Sequence, residues 1–233
     1  MFNCASSYSL VKRINYDFEK TKVLELFAGS RSIGKVAEKL GCEVFSIDNK
    51  NFKGINLVAD IEFLRIKDLP FKPDIIWASP PCTTYSVAGL WHHRNKGIPQ
   101  TSFAAKSDQV TINMLKIIRE LDCMYYIENP RGYLRKMPFM QGLERTTIWY
   151  CQYGHKCAKP TDIWSNNIRS LWNLNGWQPR PVCHNGNKNC HHEAVPRSSK
   201  NRGIQGIKSN YERSKIPPEL CYEIMEASLR KEF

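Results

Sequence analysis

Cys82 stands directly after two prolines in Ser79-Pro80-Pro81-Cys82-Thr83, just beyond the apolar run Ile75-Ile76-Trp77-Ala78. Proline fixes its own φ and restricts the residue before it, so the pair holds the thiol on a stiff loop. A thiol held that way can add to an electrophilic carbon and leave again. The alternative is a buried structural cysteine. Glu128 ends a second apolar run, Tyr125-Tyr126-Ile127, and is followed by Asn-Pro. A carboxyl at the end of a buried strand is partly desolvated, which favours the protonated form and lets it donate a proton or hydrogen bond. The alternative is a solvated glutamate beside an Asn-Pro turn. Gly29 follows the apolar run Val23–Phe27, and Asp48 follows Val44–Ile47. Glycine allows a tight turn and close approach of a ligand. A helix starting there offers unpaired N–H groups. A carboxylate at Asp48 can accept the hydroxyls of a ribose, with Asp60 as a further acceptor. Either aspartate alone reads equally well as a turn or helix cap.

These residues need elements to position them. Strands are expected at 22–27, 43–48, 55–60, 74–79 and 124–129, and helices at 31–40 and 104–121. In the first helix Ile33, Val36, Ala37 and Leu40 share one face. Apolar, β-rich strands alternating with helices predict an α/β fold: a doubly wound, mostly parallel sheet with helices on both faces. Ligands bind such sheets beyond the carboxyl ends of the strands. Every motif above falls at such an end. After about 141 the texture changes. Two more strands are expected at 146–154 and 160–165, then a loop-rich basic lobe to about 208. A helix over 217–231, opened by Pro217 and Pro218, returns to the main body. The expected organisation is a catalytic domain over 1–145, a small lobe over 146–208 and a closing segment over 209–233.

Composition narrows the classes. The chain has 233 residues, 42% hydrophobic and 24% charged, and no apolar run long enough for a membrane span. No secretory leader is evident, so a cytoplasmic protein without membrane contact is expected. The net charge is +12, unevenly spread: residues 141–216 hold 12 Lys+Arg against 4 Asp+Glu, or +8. Such asymmetry suits a polyanion as well as a plain solvated surface. The nine cysteines are odd in number and scattered, unlike a disulfide framework. Cys183 and Cys190, joined by Cys151 or Cys157 and one histidine, would make a structural zinc site. The spacings are irregular, so free thiols with surface histidines are the competing reading.

The motifs in their order resemble the DNA cytosine-5 methyltransferase family: Phe27-Ala28-Gly29-Ser30, an acid after the second strand, Pro80-Pro81-Cys82, then Glu128-Asn129-Pro130. The resemblance covers roughly residues 22–165 and the last helix. It implies an S-adenosylmethionine-binding sheet, with Phe27, Ala28, Gly29, Ser30, Asp48, Asp60 and Pro80 at the cofactor. It implies Cys82 as the nucleophile at cytosine C6 and Glu128 as its acidic partner at N3. Double-stranded DNA is the expected partner, and no oligomer is implied. A base inside a duplex must be extruded before a thiol reaches its ring. Arg94 and Lys96, just beyond Cys82, and Arg197, Lys200 and Arg202 in the basic lobe are the expected phosphate contacts. The chain departs from the family where Lys159–Ser165 stands near the place of a Gln-Arg-x-Arg element, and in its short recognition region. An RNA cytosine-5 methyltransferase and a catalytically silent DNA-binding protein on the same scaffold are the alternatives.

Overall fold

The computed structural model describes residues 20–184, 186–190, 192 and 209–230. The elements in chain order are β1 (Lys22–Leu26), α1 (Ser32–Lys39), β2 (Glu43–Asp48), β3 (Leu57–Val58), β4 (Ile75–Ala78) and α2 (Leu90–His93). There follow β5 (Arg94–Asn95), β6 (Ile98–Pro99), α3 (Ser102–Leu121), β7 (Met124–Pro130), β8 (Arg145–Trp149), β9 (Pro160–Ser165), α4 (Asn210–Ser214) and α5 (Pro218–Leu229).

Seven strands form one sheet in the order β3-β2-β1-β4-β7-β9-β8. The pairs from β3 to β7 are parallel, while β9 is antiparallel to both β7 and β8. Strand residues alternate between two cores, as a pleat with both faces covered requires. Val23, Ile75, Trp77, Tyr126 and Ile163 pack with α1 and α5. Leu24, Ile76, Ala78, Ile127 and Trp164 pack with α3. The doubly wound, mostly parallel architecture expected from the sequence is therefore present. Strand order reverses between β1 and β4, which opens a crevice at their carboxyl ends.

Two boundaries differ from the sequence expectation. Residues 145–165 do not begin a separate lobe: β8 and β9 complete the sheet, and β9 lies directly against β7. Their fully buried residues, among them Ile148, Ile163 and Trp164, are what the edge of the core needed. The third strand shrinks from six residues to Leu57–Val58, with the flanking Asn56 and Ala59 amides also donating to the Ser46 and Asp48 carbonyls of β2. Among the described residues, no helix is long and apolar enough to cross a membrane.

Of the buried carboxylates on this sheet, Glu25 is the one tied to the first helix. Glu25 on β1 accepts from the Gly34 amide at 3.1 Å and from Ser46 Oγ at 2.9 Å, and Arg31 Nε donates to Ser46 Oγ at 2.9 Å. A Cβ at position 34 would lie 2.5 Å from Glu25 Oε2, so any larger residue there would have to displace this carboxyl. Burial pushes the Glu25 carboxyl up from 4.5 to about 7, although Gly34, Ser46 and Arg31 pull it down. The folded state thus holds this proton more tightly than the unfolded chain. Its contribution is complete below the unfolded value and is lost as pH rises from about 4.5 through about 7, a change of about 3 kcal/mol. Denaturant titrations at pH 5, 6, 7 and 8 should show stability falling in this window, and Glu25→Gln should flatten the fall. Parallel pH curves for the two proteins would rule this out.

Candidate active site

The turn after β1 is wound tightly, with φ of 57° at Phe27, 47° at Gly29 and 56° at Arg31. Asp48, at the end of β2, ties this turn down: Oδ2 accepts from the Gly29 amide and Oδ1 from the Lys50 amide, both at 2.9 Å. A carboxylate has about four lone-pair sites, so about two stay open toward a ligand. Beside the turn lies a cavity of about 540 Å³ lined by Phe27, Gly29, Asp48, Phe52, Asp60 and Pro81, among others. That volume suits a nucleoside-sized ligand, and the lining mixes aromatic faces with carboxylates. Asp60 forms an ion pair with Lys106 at 2.6 Å. Burial pushes its carboxyl up, but Lys106 and the Glu62 amide outweigh this and hold it below its usual value.

Three of the residues expected at the cofactor stand behind the cavity wall. The Ala28 amide is engaged by the Ile47 carbonyl at 3.0 Å, and Ser30 Oγ shares a 2.8 Å hydrogen bond with Ser32 Oγ. Pro80 is buried, its neighbours Ser79 and Pro81 line the cavity in its stead, and its carbonyl accepts from Asn129 Nδ2 at 2.9 Å. Pro80 therefore couples two loops.

That coupling defines the reactive region. The Cys82 loop is held to the β7 segment at two points, Asn129 to the Pro80 carbonyl and the Tyr133 amide to the Tyr85 carbonyl at 2.7 Å. Cys82 is half-buried, and its carbonyl starts a helical turn by accepting from the Tyr85 and Ser86 amides. Burial pushes its thiol up, and the Glu128 charge pushes it the same way, while Lys159 and Arg213 pull it down. Glu128 is buried and accepts from the Tyr150 hydroxyl at 2.9 Å. Burial, reinforced by Glu128, holds the Tyr150 hydroxyl well above its ordinary value, so it stays a donor. Lys159 Nζ lies 4.4 Å from the centre of the Tyr150 ring and donates to the Arg213 carbonyl at 2.8 Å. A thiol, a carboxyl and two cations thus converge beside the cavity.

The model of a known family, C-5 cytosine-specific DNA methylase, matches residues 21–137, half of the 233-residue chain. The chain belongs to this family. A probable DNA (cytosine-5)-methyltransferase of Frog virus 3 (isolate Goorha) is 24% identical over 229 residues, covering 88% of this chain and 99% of the viral one. Among solved structures, the Entamoeba histolytica methyltransferase EhMeth matches with a TM-score of 0.52 at 12% identity, over 90% of this chain and 98% of that one. The S. pombe Dnmt2 methyltransferase matches with a TM-score of 0.45 at 16% identity, over 66% of this chain, which spans 53% of that protein's length.

As a family member, the chain would need DNA contacts, and the structure redistributes the expected ones. Arg94 cannot reach a phosphate. It is 4% exposed, paired with Asp108 at 2.6 Å, and it donates to the Thr84, Gly97 and Ala104 carbonyls. Its guanidinium also covers the Tyr85 ring at 4.3 Å. Lys96 is exposed at the tip of the β5–β6 hairpin, where φ is positive at both Lys96 and Gly97, as a two-residue hairpin turn demands. Arg197, Lys200 and Arg202 lie outside the described residues.

The cysteine expectation resolves into one cluster. Ligand atoms of Cys151, Cys183, Cys190 and His192 all lie within 4.8 Å of one another, with Cys157 outside the group. Tyr150, Lys159 and Arg213 went unnoticed in the sequence. Tyr150 sits in an aromatic stretch that reads as strand. Lys159 heads the segment in which the family's arginine-rich element was missing, which was the available signal. Nothing local marks Arg213.

Proposed function

We propose that this protein transfers a methyl group from S-adenosylmethionine to C5 of cytosine in double-stranded DNA, through a covalent adduct between Cys82 Sγ and C6. The observation that carries this reading is the tie between the Cys82 loop and the Glu128-Asn129 strand, beside a nucleoside-sized cavity whose wall includes Pro81, the neighbour of Cys82. S-adenosylmethionine, when bound, supplies an electrophilic methyl group. Phe27 offers a face for an aromatic ring, and Asp48 keeps open lone pairs for ribose hydroxyls. Cys82, as thiolate, forms the S–C6 bond, and the electron pair displaced onto the ring makes C5 nucleophilic. Glu128 hydrogen-bonds at N3, where charge develops, with its own orientation fixed by Tyr150. After C5 has taken the methyl group it loses its proton, the S–C6 bond breaks and Cys82 leaves with that pair of electrons.

Lys96, Arg197, Lys200 and Arg202 serve as the phosphate grip in this reading, with Arg94 left to hold the loop. A structural zinc staples the basic lobe and takes no part in the chemistry, since thiol addition needs no Lewis acid. Incubation with tritiated methyl donor and either duplex DNA or tRNA, followed by hydrolysis to nucleosides, tests the reading. Label should appear as 5-methylcytosine from the duplex. Label from tRNA alone, or in neither, would overturn it.

A further inference from the structure

We propose that Cys151, Cys183, Cys190 and His192 bind one zinc ion as a Cys₃His site, and that this ion clamps the basic recognition segment to the sheet end that supports Glu128. The proposal rests on the structural staple of the preceding reading but not on methyl transfer.

The ligand set is the first argument. Three thiols and an imidazole suit zinc over magnesium or calcium, which take oxygen donors. The geometry is the second. With Zn–S near 2.3 Å and Zn–N near 2.0 Å, a tetrahedron has S–N edges of about 3.6 Å and S–S edges of about 3.8 Å. Cys183 Sγ and His192 Nε2 already lie 3.4 Å apart, and the whole set lies within 4.8 Å. Closing onto a metal therefore takes shifts of about an ångström or less at the wider edges. Unligated thiols gain little from crowding together on a basic surface, whereas thiolates around a dication gain a great deal.

The surroundings supply the third argument. Metal-bound thiolates are commonly held by outer N–H donors. Asn187 Nδ2 points at Cys183 Sγ from 3.3 Å, and Gln152 Nε2 lies 3.7 Å from Cys190 Sγ and 3.9 Å from Cys151 Sγ. Cys183 packs on Trp149 and Ala158, and the Trp149 ring stacks on His192 with centroids 6.4 Å apart. Among the described residues, every cysteine is free of a disulfide.

The position of the site gives it a task. Cys151 follows Tyr150, the donor to Glu128, whereas the other three ligands come from 183–192. The clamp therefore joins segments remote in sequence. In sequence, His192 and Ser209 flank the stretch 193–208 with Arg197, Lys200 and Arg202, and Ser209, Tyr211 and Ser214 line the cofactor cavity.

The test measures metal and DNA binding apart from catalysis. Protein purified without chelator should carry about one equivalent of zinc by elemental analysis. Cys183→Ser and His192→Ala should each reduce this at least fivefold, while Cys123→Ser and Cys82→Ser should leave it intact. Because a ligand variant can misfold, wild-type protein stripped with chelator is titrated with cobalt, and thiolate-to-cobalt absorption should saturate at one equivalent. Stripped protein should bind duplex DNA at least several-fold more weakly than the reloaded protein, with a shallower salt dependence. Zinc below a tenth of an equivalent together with no thiolate–cobalt absorption would sink the site. Full zinc with unchanged DNA affinity after stripping would sink the clamp. Failure of methyl transfer in a protein that holds zinc would count against the reading of function alone.

Discussion

Cys82→Ser should lower methyl transfer by at least about 1000-fold while DNA binding and the fold persist. In the proposed mechanism the thiol must both add and leave. A serine hydroxyl ionises far less readily, and the same burial and Glu128 charge that push the Cys82 thiol up would act on an alkoxide too. Lys159 and Arg213, which favour the charged form, are too weak to reverse this even for the thiol. The side chains are close in size, and the loop is held by backbone contacts at Pro80 and Tyr85, so the change should leave the structure intact. Duplex DNA carrying 5-fluorocytosine adds a direct readout, because fluorine at C5 cannot leave as a proton and the adduct persists. Wild-type protein should form a complex that survives denaturing electrophoresis, cross-linked at Cys82, and the serine variant should form none. Transfer by the serine variant at near wild-type rate, or a cross-link at another residue, would refute the assignment.

Arg94→Ala should destabilise the fold by about 3–5 kcal/mol, the usual result of removing one partner from a buried ion pair. The Arg94 side chain is fully buried in its pair with Asp108, and Asp108 also accepts from the Tyr85 hydroxyl at 2.6 Å. Without the guanidinium, that carboxylate keeps one neutral donor and no cation, and the Thr84, Gly97 and Ala104 carbonyls lose a shared donor. Tyr85 lies three residues after Cys82, so part of the damage should appear as a displaced Cys82 loop. Chemical denaturation measures the stability loss. Equilibrium DNA binding under fully native conditions separates this role from a phosphate contact. The salt slope should stay unchanged in Arg94→Ala and flatten in Lys96→Ala. A stable Arg94→Ala protein with a flattened slope would restore the arginine to the DNA surface.

These two residues also show how much the sequence revealed. The parallel sheet was legible because β1, β2, β4 and β7 are apolar runs ending in chemically distinctive turns. Cys82, Glu128 and Asp48 stood out because each follows such a run. Arg94 was misread because a lone arginine near a reactive loop looks the same whether it faces solvent or a buried aspartate 14 residues away. Only packing distinguishes the two. β8 and β9 looked like the start of a lobe because the surrounding composition turns basic, while their pairing with β7 is a long-range event that composition does not register. Cys183 and Cys190 were picked out by residue type, whereas Cys151 and His192 were selected by the fold, which brings a strand end to a loop about 30 residues on.

The covering of β1 by α5 bears on how the protein is made. Val23, Ile33, Val36 and Ala37, produced early, lie in one core with Leu220, Ile224 and Met225, produced late. The Ile216 amide donates to Ser32 Oγ at 3.2 Å across 184 residues. At about 5–20 residues per second, a ribosome needs roughly 10–40 s to bridge that interval. Throughout it, the nascent chain must carry an uncovered apolar face on β1 and α1, the elements on either side of the turn that lines the cavity. Closure of that face late in translation makes a ribosome stall before Pro217 an aggregation hazard.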